Sequence, residues 1–227
     1  MSSQEFIQQL DARIAKHDLL CHPFYKAWSE GKLTRNDLRE YSHEYYHHVD
    51  AFPSYLEEFA ARLPHGHLRH AVLATRDEES GGDGSRPHAE LWLDFAEGMG
   101  GSRNASAPPV SAVKNLISHF HGVAREGAPE EALAAFYAYE SQVPRIAAEK
   151  ARGLREMYGA DEKTYGYFTL HTTADVYHSN VWRNQLERVV EGNPAAEERA
   201  LAAAEKAAKA LWNALDGVEA ARMSRAA

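Results

Sequence analysis

Three polar residues of one segment, His171, Asp175 and His178, are spaced i, i+4 and i+7. At about 100° per residue their side chains leave a helix within about 60° of one another, so two imidazoles and a carboxylate share one face. Tyr167, Phe168, Ala174 and Trp182 fall at or near the same angular position. That face therefore looks inward, where polar groups need internal partners. A metal ion is one way to satisfy them; the triplet alone leaves open a helix with scattered surface histidines in a His-rich chain.

Two other segments enlarge the inventory. Glu140 lies in the aromatic run Phe136-Tyr137-Ala138-Tyr139-Glu140. Asp77-Glu78-Glu79 closes one predicted helix, and His88 opens the next across Gly81-Gly82-Asp83-Gly84-Ser85-Arg86-Pro87. If Glu78, His88, Glu140, His171, Asp175 and His178 converge, three imidazoles and three carboxylates meet inside a helical protein. Mixed oxygen and nitrogen ligation suits two iron or manganese ions better than a lone zinc, which prefers some thiolate. The paired Glu-x-x-His repeats of common helical di-iron proteins are absent from the chain. The residues by themselves thus leave both a dinuclear site and buried polar packing open.

Such residues need a scaffold, and apolar residues recur at three- and four-residue intervals almost throughout, with no run of β-branched alternation. The pattern predicts an all-α, single-domain bundle. One long helix runs from about 37 to 62, with Thr34 as N-cap, Pro53 as a kink and Pro64 as its stop. Others span about 67–79, 129–158 and 162–191, and an Ala- and Lys-rich helix ends near 215. The core is expected over about 5–215, with a C-terminal tail over 217–227, and Gly98 to Pro109 reads as a surface loop.

Composition narrows the function classes. The 227 residues carry 25 basic and 33 acidic side chains, a net charge of −8, which argues against nonspecific binding to nucleic acid or anionic membrane. No apolar run approaches the ~20 residues needed to span a bilayer. The single cysteine, Cys21, forms no intramolecular disulfide, and Met1-Ser2-Ser3-Gln4-Glu5 lacks the features of a signal peptide, so a cytoplasmic location is expected.

Longer motifs add a resemblance. Phe24-Tyr25-Lys26-Ala27-Trp28-Ser29-Glu30-Gly31-Lys32-Leu33-Thr34, Tyr45-Tyr46-His47-His48-Val49-Asp50-Ala51-Phe52-Pro53 and Tyr139-Glu140-Ser141-Gln142-Val143-Pro144-Arg145-Ile146-Ala147, with the His171, Asp175 and His178 spacing, closely resemble the CADD-like proteins, named for a chlamydial protein associating with death domains. The resemblance covers roughly residues 5–215. It implies a seven-helix heme-oxygenase-like bundle, a fold shared with TenA-like thiaminases and the cofactorless oxidase that completes pyrroloquinoline quinone. Fold alone does not decide among these activities.

The resemblance also implies a di-metal oxidase with Fe/Fe or Mn/Fe held by Glu78, His88, Glu140, His171, Asp175 and His178, using O2 and an external reductant. Glu78 is preferred to Glu79 because it follows Asp77 as in the family motif. CADD-like members are implicated in making 4-aminobenzoate for folate from one of their own tyrosines. Tyr25 matches that tyrosine, Lys150 the proposed amino donor, and Tyr41 and Tyr139 further tyrosines near it. Lys150 must then be desolvated or beside a second cation, for which Arg145 and Arg152 are candidates. A homodimer is also implied.

Alternatives are the same di-metal oxidase acting on an external small amine or acid, and a non-catalytic interaction module. Among the remaining histidines, His48 is a candidate pocket residue and His22 a cap or an exposed group. His119 and His121, two apart, face different directions, which disfavours a shared metal.

Overall fold

Thr34 starts the first long helix as its sequence predicts. Its Oγ1 accepts a hydrogen bond from the Asp37 N–H at 3.1 Å, and Asp37 Oδ2 accepts one from the Thr34 N–H at 2.9 Å, a reciprocal capping box. Asp161 caps a second long helix by accepting from the Thr164 N–H at 2.9 Å. The computed structural model describes residues 1–82, 84–104 and 107–226. Asp83 of the glycine loop, residues 105–106 of the surface loop and residue 227 lie outside the described residues.

Among the described residues are α1 (Ser3–Ala15), α2 (Pro23–Ser29), α3 (Arg35–Arg62), α4 (His67–Ser80), α5 (His88–Gly98), α6 (Ser111–Glu126), α7 (Pro129–Glu140), α8 (Val143–Glu156), α9 (Glu162–Val190) and α10 (Pro194–Ala226), with a 3-10 turn at Leu19–Cys21. No strand occurs among them. The all-α expectation holds, although the helices are more numerous than the expected seven. One reason is that 129–158 is two helices. Pro144 has no N–H to offer the Glu140 carbonyl and its ring crowds that oxygen, so α7 ends and α8 begins with Pro144 in its first turn. The Gln142 side chain repairs the break, donating from Nε2 to the Ala138 carbonyl at 3.1 Å while its Oε1 accepts from the Leu19 N–H at 3.1 Å.

Pro53 lies within α3, which continues on both sides of it. One other expectation changes. The last helix does not stop near 215 but continues to Ala226, with Val218 buried. Gly217 is tolerated there because a Cβ at that position would collide with the Ala112 side chain, so its absence lets α10 close onto α6.

α9 is the structural hub, packing against α5, α7 and α8 and touching α4. α10 covers α7, α6 and α1, and α3 packs on α4, α5 and α6. Trp28, Trp92, Trp182, Tyr41, Tyr55 and Phe136 are fully buried between these layers. Gly153 matters to the placement of α8, because a Cβ there would lie 2.9 Å from the Trp28 ring. Gly153→Ala is therefore expected to lower stability by about 1–3 kcal/mol through overpacking, read as a fall in thermal midpoint of several degrees. An unchanged midpoint would mean that Trp28 repacks freely.

Candidate metal centre

The end of α4, the start of α5, the end of α7 and the middle of α9 meet beneath the core. Glu79, His88 and His171 bring ligand atoms within 4.8 Å of one another, and so do Glu79, Glu140, Asp175 and His178. All six side chains are buried. Glu79 belongs to both groups: its Oε2 is 2.8 Å from His88 Nδ1 and its Oε1 is 3.8 Å from His178 Nδ1. His178 Nδ1 also lies 3.2 Å from Glu140 Oε1 and 3.5 Å from Asp175 Oδ1. His171 Nδ1 donates to the Tyr167 carbonyl at 2.7 Å, which leaves its other nitrogen free to bind. The Trp182 indole N–H donates to Glu140 Oε2.

Three buried carboxylates so close together are short of positive charge. Burial, reinforced by Glu140 and Glu79, pushes the Asp175 carboxyl up to about 8 despite the nearby His178 ring. Burial likewise raises Glu140. Burial works against a charged Glu79 too, but the His88 hydrogen bond and charge outweigh it and leave its pKa lowered. His178 is desolvated as well, yet Glu140, Asp175 and Glu78 hold its pKa up at about 12, while burial depresses His171 to about 4. The metal-free cluster thus stores protons that cations can displace. Asp175 Oδ1 is buried with no hydrogen-bond partner among the described residues, a vacancy in polar satisfaction that a cation would meet. With three carboxylates and three imidazoles, the donor set fits two hard-to-borderline metal ions.

A small cavity of about 10 Å³ lies against Glu79, Glu140, His171 and Asp175. A second, of about 30 Å³, is lined by Tyr25, Tyr45, Trp92 and Lys150. Tyr139 and Tyr167 line both, forming the wall between them. In the second cavity Lys150 Nζ donates to Tyr25 Oη at 2.9 Å and to Tyr41 Oη at 2.6 Å, and the two hydroxyls are 3.0 Å apart.

A profile of iron-containing redox enzymes matches residues 39–212, a span that contains all six clustered residues. The chain belongs to this family. A 4-aminobenzoate synthase of Nitrosomonas europaea is 38% identical over 231 residues, covering 96% of this chain and 92% of that protein. One of Chlamydia pneumoniae is 34% identical over 213 residues, covering 92% and 93%. A domain with a heme oxygenase-like fold from Shewanella denitrificans superposes with a TM-score of 0.82 at 19% identity, over 98% of this chain and 94% of its own. The fold is thus heme oxygenase-like and the protein is an oxidoreductase of the iron-containing redox family.

Within that family framework the six sequence candidates fall unevenly. His88, Glu140, His171, Asp175 and His178 come together as expected, but the central acid of α4 is Glu79 rather than Glu78. Val72, Thr75 and Glu79 form the buried stripe of α4, at i, i+3 and i+7, and Glu78 lies one residue, about 100°, off it. The Glu78 side chain is 46% exposed against 6% for Glu79, and it reaches His178 from outside, with Oε2 2.5 Å from Nε2.

Around Lys150 the expected tyrosines Tyr25 and Tyr41 are hydrogen-bonded neighbours, and Tyr139 lines the same cavity. The second cation is not there: Arg145 pairs with Asp18 and Arg152 with Glu149 and Glu156. Burial alone lowers the Lys150 pKa well below its ordinary value. Six rings lie within 6 Å of Nζ, the nearest that of Tyr25 at 4.3 Å. Ring faces favour a cation by about 0.5–2 kcal/mol, which offsets part of the desolvation but supplies no counter-charge. Burial also raises Tyr25 and Tyr41, so both remain phenols.

Sequence reasoning passed over Tyr45, Trp92 and Tyr167 as cavity walls and Trp182 as the partner of Glu140; their only signal was an aromatic on an inward face. His22 caps α2, its Nδ1 accepting from the Phe24 N–H at 3.1 Å. His48 is fully buried and packs edge-on against Tyr139, whose ring centroid is 4.9 Å away. His121 pairs with Glu58 at 2.8 Å, apart from the cluster. No helix among the described residues is long and apolar enough to cross a membrane.

Proposed function

We propose that this chain is a dinuclear-metal, O2-dependent oxidase that forms 4-aminobenzoate from its own Tyr25, with Lys150 as the amino donor. The observation that carries the reading is the 2.9 Å approach of Lys150 Nζ to Tyr25 Oη, in a cavity whose shared wall separates it from the metal cluster. The similarity to 4-aminobenzoate synthases over nearly the whole chain supports the product. The proposed metal ligands are Glu79, His88, Glu140, His171, Asp175 and His178. Two iron ions, or one manganese and one iron, bound there would supply redox chemistry toward O2 with electrons from an external reductant.

The protein's own groups divide the remaining work. The Tyr25 ring and its Cβ carry all the carbons of a benzoate, so the bond to be broken is Cα–Cβ and the ring carbon bearing Oη is the one that must receive nitrogen. Lys150 Nζ lies beside Oη, and its desolvation favours the neutral amine, whose lone pair could form the C–N bond as the C–Oη bond breaks and the oxygen leaves as water. The Lys150 Cε–Nζ bond must break in turn to release the product, and O2 would be the oxidant that takes Cβ to the carboxyl level. Tyr41 accepts a hydrogen bond from Lys150 at 2.6 Å and fixes the amine beside Tyr25. Tyr139 and Tyr167 stand between the two cavities, in position to hold the ring or relay an electron. Trp28, Trp92 and Phe168 exclude water around Nζ.

The test is elemental analysis joined to intact mass before and after ferrous iron, reductant and O2. About two metals per chain are expected, with one 4-aminobenzoate released per chain, a mass loss mapping to the Tyr25 side chain and to the Lys150 nitrogen, and neither product nor mass loss in Tyr25→Phe. Many turnovers with Tyr25 unchanged would replace the self-derived reading with an external substrate. No metal after iron loading would overturn the oxidase reading itself.

A further inference from the structure

His178 presents its two ring nitrogens to opposite sides of the cluster. Nδ1 faces inward, 3.2 Å from Glu140, 3.5 Å from Asp175 and 3.8 Å from Glu79. Nε2 faces outward, 2.5 Å from Glu78 Oε2. A neutral imidazole carries its hydrogen on one nitrogen and binds metal through the other. The inward carboxylates are three acceptors competing to hold that hydrogen on Nδ1, where it would block the lone pair. An acceptor on the outer side is needed to balance them, and the sole carboxylate near Nε2 among the described residues is Glu78. His171 is held by a parallel device of opposite sense, its Nδ1–H donating to the Tyr167 carbonyl at 2.7 Å.

We infer that Glu78 is the positioning residue of the metal centre: it accepts the Nε2–H of His178 and so keeps Nδ1 free for a metal ion, without itself being a ligand. A carboxylate behind a ligating imidazole both fixes the ring and raises its basicity. The location of Glu78 suits this role. Its side chain is about half exposed, at the edge of an open depression also lined by His88, Leu91, Leu170 and Tyr177. It therefore has little part in the core, and replacing it leaves the buried stripe of α4 intact. The inference rests on the dinuclear reading above and concerns only the group formed by Glu79, Glu140, Asp175 and His178.

The experiment uses zinc as a diamagnetic probe in the full chain, with chelator competition to measure affinity at each site. Wild type, Glu78→Ala, Glu78→Gln and Glu79→Gln are compared. In Glu78→Ala one of the two sites is expected to weaken about 10- to 100-fold, with the other site unchanged. Glu78→Gln, whose amide oxygen still accepts the hydrogen, should fall between Glu78→Ala and wild type. In zinc-loaded wild type, long-range nitrogen–proton spectra should show the His178 hydrogen on Nε2. Wild-type affinity at both sites in Glu78→Ala overturns the inference, as does loss of both metals to the extent seen in Glu79→Gln, which would make Glu78 a ligand. A His178 hydrogen on Nδ1 in the loaded wild type overturns it without any variant. A wild-type chain that binds no metal overturns the dinuclear reading and this inference together, an outcome distinct from two tight sites that are indifferent to Glu78.

Discussion

Glu79→Gln is expected to leave a folded chain that binds less than one metal ion where wild type binds about two, and to reduce O2 use and 4-aminobenzoate formation to background. The two oxygens of Glu79 face different histidines, Oε2 at 2.8 Å from His88 and Oε1 at 3.8 Å from His178, so one side chain serves both groups. A glutamine keeps the shape but offers one neutral oxygen and turns an amide N–H₂ toward any cation in the other group. The loss in affinity should exceed the roughly 10- to 100-fold typical of residues behind the ligands. Glu140→Gln, confined to one group, should instead lose about one metal. Stability of the metal-free chain should fall as well. The hydrogen bond and charge of His88 hold the Glu79 pKa below its ordinary value, so ionised Glu79 contributes stability at neutral pH, and removing one partner of a buried pair is destabilising. Elemental analysis and thermal melts after chelation check both halves. Two tightly held metals in Glu79→Gln would remove Glu79 from the centre, and an unchanged metal-free midpoint would show that relief of the crowded carboxylates offsets the lost bond to His88.

That central acid marks the limit of what the sequence could reveal. His171, Asp175 and His178 were legible because a helical face repeats and apolar neighbours declare which way it looks. Asp77, Glu78 and Glu79 are three acids in a row, and nothing in their types distinguishes the inward one. The signal lay upstream, in Val72 and Thr75, whose stripe continues to Glu79 and skips Glu78. The Thr34 cap was visible because its partner lies three residues away. The break between α7 and α8 was signalled by Pro144 but masked by the helical periodicity on either side. The continuation of α10 past Gly217 depends on Ala112 of another helix, which no local rule contains. Most hidden was the setting of Lys150. Its surroundings come from α2, α3, α5 and α9, so a lysine that reads locally as solvated becomes a buried amine ringed by aromatics only in the folded bundle.

Lys150→Met is expected to abolish 4-aminobenzoate formation while both metals stay bound, and to make the protein more stable at neutral pH. Burial lowers the Lys150 pKa, and no carboxylate answers it. Between that lowered value and the ordinary lysine value of about 10.4 the unfolded chain binds a proton that the folded chain does not. This lysine therefore opposes folding at neutral pH, and its penalty shrinks as pH rises toward about 10. Methionine fills a similar volume with no charge to desolvate, and Tyr25 and Tyr41 keep their mutual hydrogen bond at 3.0 Å. The lost amine contacts each contribute only about 0.5–1.5 kcal/mol net, so relief of the buried amine should prevail by about 1–3 kcal/mol. For a chain of this length that is a rise in thermal midpoint of roughly 2–10 °C at pH 7. The difference between the two chains should narrow steadily up to pH 9.5, below the range in which tyrosines titrate. Comparing the two chains at each pH cancels the carboxylates near the metal centre, which both share. A variant less stable than wild type at pH 7 would mean that the surrounding rings hold Lys150 as a cation, and a cation has no lone pair with which to attack. Formation of 4-aminobenzoate by Lys150→Met would end its role as donor outright. A destabilising lysine kept beside a buried tyrosine is what a chemical role for that amine requires, and the melting curves and the product assay examine the two halves of that statement separately.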